Sequence, residues 1–146
     1  MFYCAGVNAI IWNIGDLSNW DVSKVTDMRA MFSNVGYSSL KLDIGNLNNW
    51  NVSKVTDMSY MFSLAGYSAT EFNIGDLSGW DVLNVTNMYA LFWNSGLNAS
   101  NWSLDLSGWN VNNVIGYTIF NIGIENKVIS PIWVNEDQGN ITDEEE

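Results

Sequence analysis

Apolar residues in the middle of this chain recur at spacings of three and four. Val25, Met28, Met31, Phe32 and Val35 stand at offsets 0, 3, 6, 7 and 10, and the same offsets return as Val55, Met58, Met61, Phe62 and Ala65. A third set reads Val85, Met88, Leu91, Phe92 and the polar Ser95. Such a stripe predicts an amphipathic helix of about three turns. Ser23 and Ser53 stand where an N-cap belongs, and Asp27 and Asp57 fall in the first turn. Gly36, Gly66 and Gly96 follow the stripe, where a left-handed residue commonly ends a helix. Between the stripes the pattern alternates instead. Trp12-x-Ile14, Leu42-x-Ile44, Phe72-x-Ile74 and Trp102-x-Leu104 have period two, and each leads into a Leu-x-x-Trp-x-Val step ending at Val22, Val52, Val82 or Val111. This half predicts short strands, placed at the Trp-x-Val step, that pair in parallel with the helix as crossover.

The two patterns make one unit. Trp20, Trp50, Trp80 and Trp109 are spaced by thirty, thirty and twenty-nine residues (50 − 20, 80 − 50, 109 − 80). A fixed period of this length means that units unable to bury an apolar face alone stack on one another. The expectation is an α/β fold, a short right-handed solenoid of about four units of 29–30 residues, with parallel strands on one face and short helices on the other. Met1-Phe2 falls in phase with Met31-Phe32, so residues 1–12 read as the back half of a unit, not as a targeting peptide. On this reading residues 1–120 form the repeat with its first unit incomplete, 121–135 cap it, and 136–146 are a frayed acidic tail. The first unit is expected to be open to end-to-end self-association.

Composition narrows the function. Sixteen acids against five bases leave a net charge of −11, with no Lys/Arg cluster, which excludes nucleic acid as a partner class. No apolar run is long enough for direct membrane insertion. Histidine is absent, which removes the commonest general base and metal ligand together. The single cysteine, Cys4, permits no intrachain disulfide and no Cys-based metal centre, and reads as a semi-buried thiol. No cofactor is expected and no metal ligand set is assigned.

The string D-L-S-x-W-D-V-S-x-V-T-x-M-x-x-M-F, over roughly residues 1–120, resembles the repeat of BspA-type leucine-rich-repeat surface proteins. The resemblance implies a cell-surface or extracellular bacterial protein that binds protein or glycan in adhesion. One departure stands out. Leucine-rich repeats place Asn three positions after the last Leu, whereas this chain has Val25, Val55, Val85 and Val114, so the turn there must be held by something other than an asparagine ladder.

Two sets of residues compete for a functional role. The four repeat tryptophans occupy the central inward position of the unit and read as core. Positions flanking them, Asn19, Asp21, Asn49, Asn51, Asp81 and Asn110 with Gly79 and Gly108, should point outward from the strands and form the default recognition strip. Trp93 aligns with Ser33 and Ser63, so packing explains it least, and it is the aromatic expected to be exposed. Asp alternates with Asn at these rows, which suits turn residues better than calcium ligands. The leading expectation is therefore a non-catalytic binding or adhesion module. Self-assembly by stacking is the alternative, and a carboxylate-based glycan-cleaving enzyme is the weaker third. If the Met/Phe stripe is core, Phe62→Ala should destabilise the chain by about 3–5 kcal/mol in chemical denaturation. A loss under about 1 kcal/mol would place the stripe on the surface.

Overall fold

The computed structural model describes residues 1–141. It contains five short strands: β1 (Ile11–Asn13), β2 (Lys41–Asp43), β3 (Glu71–Asn73), β4 (Leu104–Asp105) and β5 (Val128–Ile129). All pairings are parallel and fall into two sheets, β1-β2-β3 and β4-β5. In the first sheet Trp12, Leu42 and Phe72 are in register, thirty residues apart each time. The units thus pile up in parallel, an arrangement consistent with a solenoid.

No helix occurs among the described residues, so the expected α/β layering is corrected. The Met/Phe stripe is a ribbon of tight turns. Within it, N–H groups at Met31, Ser33, Val35, Tyr37 and Ser39 bond to the carbonyl three residues back. The intervening N–H groups leave the unit: Met28, Ala30, Phe32 and Asn34 donate to Asp57, Ser59, Met61 and Ser63 of the next one. Gly36 and Ser38 donate the other way, to Ala5 and Val7. A helix would need every N–H for its own ladder. Here half of them hold units together, and residues of modest helix preference (Val, Thr, Ser, Asn, Asp) offer little resistance.

The stripe nevertheless points inward as predicted. Met28, Met31, Phe32 and Val35 are buried, as are their counterparts in the next two units. Phe2, Phe32, Phe62 and Phe92 stack in a column, and Phe120 meets Phe92 edge-on, with successive ring centroids 5.4–5.5 Å apart. Ser95, the polar exception, is fully buried and donates its hydroxyl to the Phe62 carbonyl, so the position is satisfied without a partner in its own unit.

The strands also lie elsewhere than expected. They sit at the Trp12/Leu42/Phe72 segment, while the Trp-x-Val step is a turn closed by bonds such as Trp50 N–H to Leu47 C=O. Its tryptophans are held by their own ladder. Trp50 Nε1 donates to the Leu17 carbonyl (2.8 Å), Trp80 to Leu47 (3.0 Å) and Trp109 to Leu77 (3.0 Å). Each indole therefore pins the preceding unit's turn, which supplies what the missing asparagines do not. Trp50, Trp80 and Trp109 are 3–5% exposed, but Trp20, in the first unit, is 40% exposed.

Glycines 36, 66 and 96 do have positive φ, near +50°, as turn residues rather than helix caps. Gly66 and Gly96 also pass within 2.7 Å of Phe72 ring carbons when a Cβ is imagined on them, so a side chain there collides with the core. In the first three units the residues Gly15, Gly45 and Gly75, again with positive φ, carry the chain out of the strand. The fourth unit, one residue shorter, has Asp105 directly after Leu104. There β4 pairs with β5 instead of β3, and the sheet divides.

Beyond the last unit, Trp133 stacks on Tyr117 (4.2 Å) and meets Phe120 edge-on (5.0 Å). Pro131 is buried and adjoins the edge strand β5. Part of the segment expected to fray is packed: Asp137 accepts from Tyr117 N–H (2.9 Å) and the Thr118 hydroxyl (2.5 Å), and Gln138 N–H donates to Ile115. Asp137 takes the place of the next unit's carbonyl, since the equivalent N–H of Met88 donates to Gly116. The rest of the expected tail, 142–146, lies outside the described residues. Trp80→Phe, which keeps the ring but removes the N–H, should cost about 1–2 kcal/mol in urea unfolding. The same change at half-exposed Trp20 should cost under about 0.5 kcal/mol; equal losses would show that the ladder bond contributes nothing.

Candidate functional site

The residues expected to form a recognition strip are all exposed, but none lies on a strand. Asn19, Asp21, Asn49, Asn51, Asp81 and Asn110 sit in the turns around the Trp-x-Val step. That placement follows from the strands being one segment earlier in each unit. Four of them are occupied by their own backbone. Asp21, Asn51, Asp81 and Asn110 each accept from the N–H two residues on, at 3.0–3.2 Å. Ser23 and Ser53, expected as helix caps, donate their hydroxyls to the same Asp21 and Asn51 oxygens.

The same device recurs around each unit. Asp16, Asn46, Asp76 and Asp105 hold the N–H groups of Ser18, Asn48, Ser78 and Ser107. Asn13, Asp43 and Asn73 hold Gly15, Gly45 and Gly75. Hydrogen bonds from the following serine keep the carboxyls of Asp16, Asp21, Asp76 and Asp105 below the usual carboxylate range. Such side chains close turns; they do not converge on a reacting atom. Among the described residues no group of three or more Cys, Asp or Glu could hold a metal ion.

A third row is more perturbed. Asp27, Asp57, Asn87 and Gly116 bridge in parallel from unit to unit. Burial pushes the Asp57 carboxyl above its ordinary value, its bonds from Ser59 offset this only in part, and the neighbouring Asp27 adds to the rise. Burial acts on Asp27 too, but there the Arg29 guanidinium, 2.7 Å away, outweighs it and the carboxyl is lowered.

Several hollows interrupt the surface, and two of them lie where the repeat is broken. One, of about 350 Å³, opens where the sheet divides and is lined by Phe72–Gly75 on one side and Asn101–Leu104 on the other. Phe72 N–H there bonds to the Asn101 side chain (3.2 Å) in place of a strand carbonyl. The second, a groove of about 310 Å³ on the turn face, contains Trp93. Trp93 is half-buried, and with it lie Tyr3, Tyr60 and Leu64 over a floor of Ala30, Ser33, Asn34 and Ser63. Tyr89 meets Tyr60 edge-on at 5.3 Å and extends the aromatic wall. Tyr3 and Tyr60 escape a sequence reading that looks only for outlying tryptophans. Their signal is the same as that of Trp93, an aromatic at a position that holds Ser or Ala in other units. Cys4, next to Tyr3, is exposed rather than semi-buried, because a left-handed backbone turns it outward.

The fold and surface define a protein built of stacked parallel repeats, with side-chain ladders for a core and turns that satisfy their own polar groups. The chain belongs to the family described as "Mycoplasma protein of unknown function, DUF285", which it matches over residues 1–126. No curated protein and no solved structure matches it. Among the described residues no helix is long and apolar enough to cross a membrane.

Asp57→Asn copies the residue that Asn87 already places in the row. A raised carboxyl favours the fold below its unfolded pKa and loses that advantage as pH rises through the folded value. The variant should therefore melt higher than the parent at pH 7, with the difference disappearing toward pH 3. A scan of melting temperature against pH checks this, and a variant less stable at pH 7 would contradict it.

Proposed function

We propose that this chain is a non-catalytic binding module, part of a bacterial surface protein of the BspA-type leucine-rich-repeat kind, that attaches to protein or glycan outside the cell. The observation that carries the reading is the groove around Trp93: it gathers aromatic side chains that the stacking core does not use. The rest of the surface supports it. The repeated carboxylates are engaged in turns one by one, and an enzyme cleaving glycans needs two carboxyls facing one bond. The groove around Trp93 and the hollow at the divided sheet contain no acid. Where two acids do share a hollow, one of them is paired with a base: Glu71 with Lys41 beside Asp43, and Asp27 with Arg29 beside Asp21.

A second reading, self-association, draws on the first unit. Met1, Trp20, Val22, Val25, Met28 and Met31 give a largely apolar lining, edged by Asp21, Asp27 and Arg29, to a hollow of about 280 Å³. Sedimentation at rising concentration separates the two: a monomer at all concentrations removes self-association.

The binding reading is tested by passing purified extracellular glycoproteins, intact and enzymatically deglycosylated, over the immobilised chain. Saturable, reversible binding with no released sugar or peptide is the expected outcome. Product release from any of them would replace this reading with the enzyme.

A further inference from the structure

We infer that the groove around Trp93 binds a short, uncharged oligosaccharide, an assignment that rests on the binding-module reading and specifies its ligand. The column that forms the groove reads Tyr3, Ser33, Ser63, Trp93 in successive units. Two aromatic side chains therefore bracket two serines. At the spacing of parallel strands, about 4.8 Å per unit, three steps separate Tyr3 from Trp93 by about 14 Å. The groove is long and shallow, with an aromatic wall at each end and a polar floor between.

The second column gives the middle of the groove its own wall. Tyr60 and Leu64 occupy positions where the flanking units have Ala30 and Ala90, and Asn34 and Asn94. All six residues have φ between +52° and +58°. That left-handed conformation suits Asn and is a genuine outlier for bulkier side chains. The inter-unit bonds impose it at every unit, so small or amide side chains serve the fold best. A Tyr and a Leu placed side by side there lower the fit to the backbone and add nothing to the core. They face Trp93 and the serines instead.

The chemistry of the lining selects the ligand. None of its eight residues is charged, so a charged peptide, a phosphate or a sialylated sugar finds no counterion. Ser33 Oγ already accepts from Asn34 Nδ2 at 3.0 Å, which leaves its O–H to donate. Ser63 is 2% exposed, lines the groove, and its hydroxyl makes no hydrogen bond among the described residues. That hydroxyl reaches the groove surface and can bond to a ligand there, since Trp12 Nε1 is the one fully buried side-chain polar atom without a partner among the described residues. A pyranose ring meets both requirements: its C–H face stacks on an aromatic ring, and its hydroxyls bond to serine and amide groups.

The repeat itself supplies the controls. Trp93→Ser restores the residue of units one and two, and Tyr60→Ala restores that of units one and three, so neither touches the core. Isothermal titration of the chain with neutral tri- and tetrasaccharides of glucose, galactose and N-acetylglucosamine, and with a sialylated trisaccharide, should show saturable binding of at least one neutral sugar. The double variant should bind it about tenfold or more weakly while melting no lower than the parent. The assignment is overturned if no neutral saccharide binds, if binding survives both substitutions, or if the sialylated sugar is preferred. Should the intact chain still capture a glycoprotein in any of those cases, the binding-module reading stands and only the groove loses its role. Capture of deglycosylated protein that the double variant abolishes would give the groove to a polypeptide instead.

Discussion

The three buried indoles of the Trp-x-Val step each spend their single N–H on a carbonyl of the unit before. Trp50, Trp80 and Trp109 reach back to Leu17, Leu47 and Leu77, so the turn that follows each leucine is held from the next unit along. This one bond fixes the relative rotation of neighbours and places the ring over the leucine turn. The phenylalanine column and the parallel strands then follow at a common rise. A tryptophan buried without a partner for its N–H would be a liability in such a core. At the Trp-x-Val step the partner is built into the period, whereas Trp12 Nε1, in the strand segment, is buried without one.

The inward positions were legible along the chain, but the backbone that carries them was not. Met28, Met31, Phe32 and Val35 face the core in a ribbon of three-residue turns just as they would in a helix, because both structures bring every third or fourth side chain to one side. Periodicity alone does not distinguish a backbone that bonds to itself from one that bonds to its neighbour. The distinguishing clue lay in the residues between: Val, Thr, Asp and Ser are indifferent helix formers. The strands went to the wrong step for a related reason. Trp50 and Val52 are both inward, which looks like alternation, but a turn presents the same pair.

At the surface, repetition concealed as much as it revealed. Asp and Asn recurring at fixed positions suggested a shared strip, and the structure finds each one engaged with the amide two residues ahead. Interchange of acid and amide is harmless there, since either offers the same oxygen. The positions that matter for recognition are those where one unit departs from the others. Trp93 could be found by that test from sequence alone. Tyr60 is flagged by the same test, but its exposure depends on a left-handed backbone that a helix would not have.

The bonds between units recur at equivalent positions from one unit to the next, and after the final unit Asp137 takes over part of them while Trp133 covers the end ring. An internal unit therefore offers matching upper and lower faces, and a gene that duplicates or loses one whole unit leaves every remaining junction intact. Array length can drift between generations without refolding the remainder. A ligand groove spread over four neighbours has no such freedom, and its order of side chains would be the first thing that such shuffling rewrites.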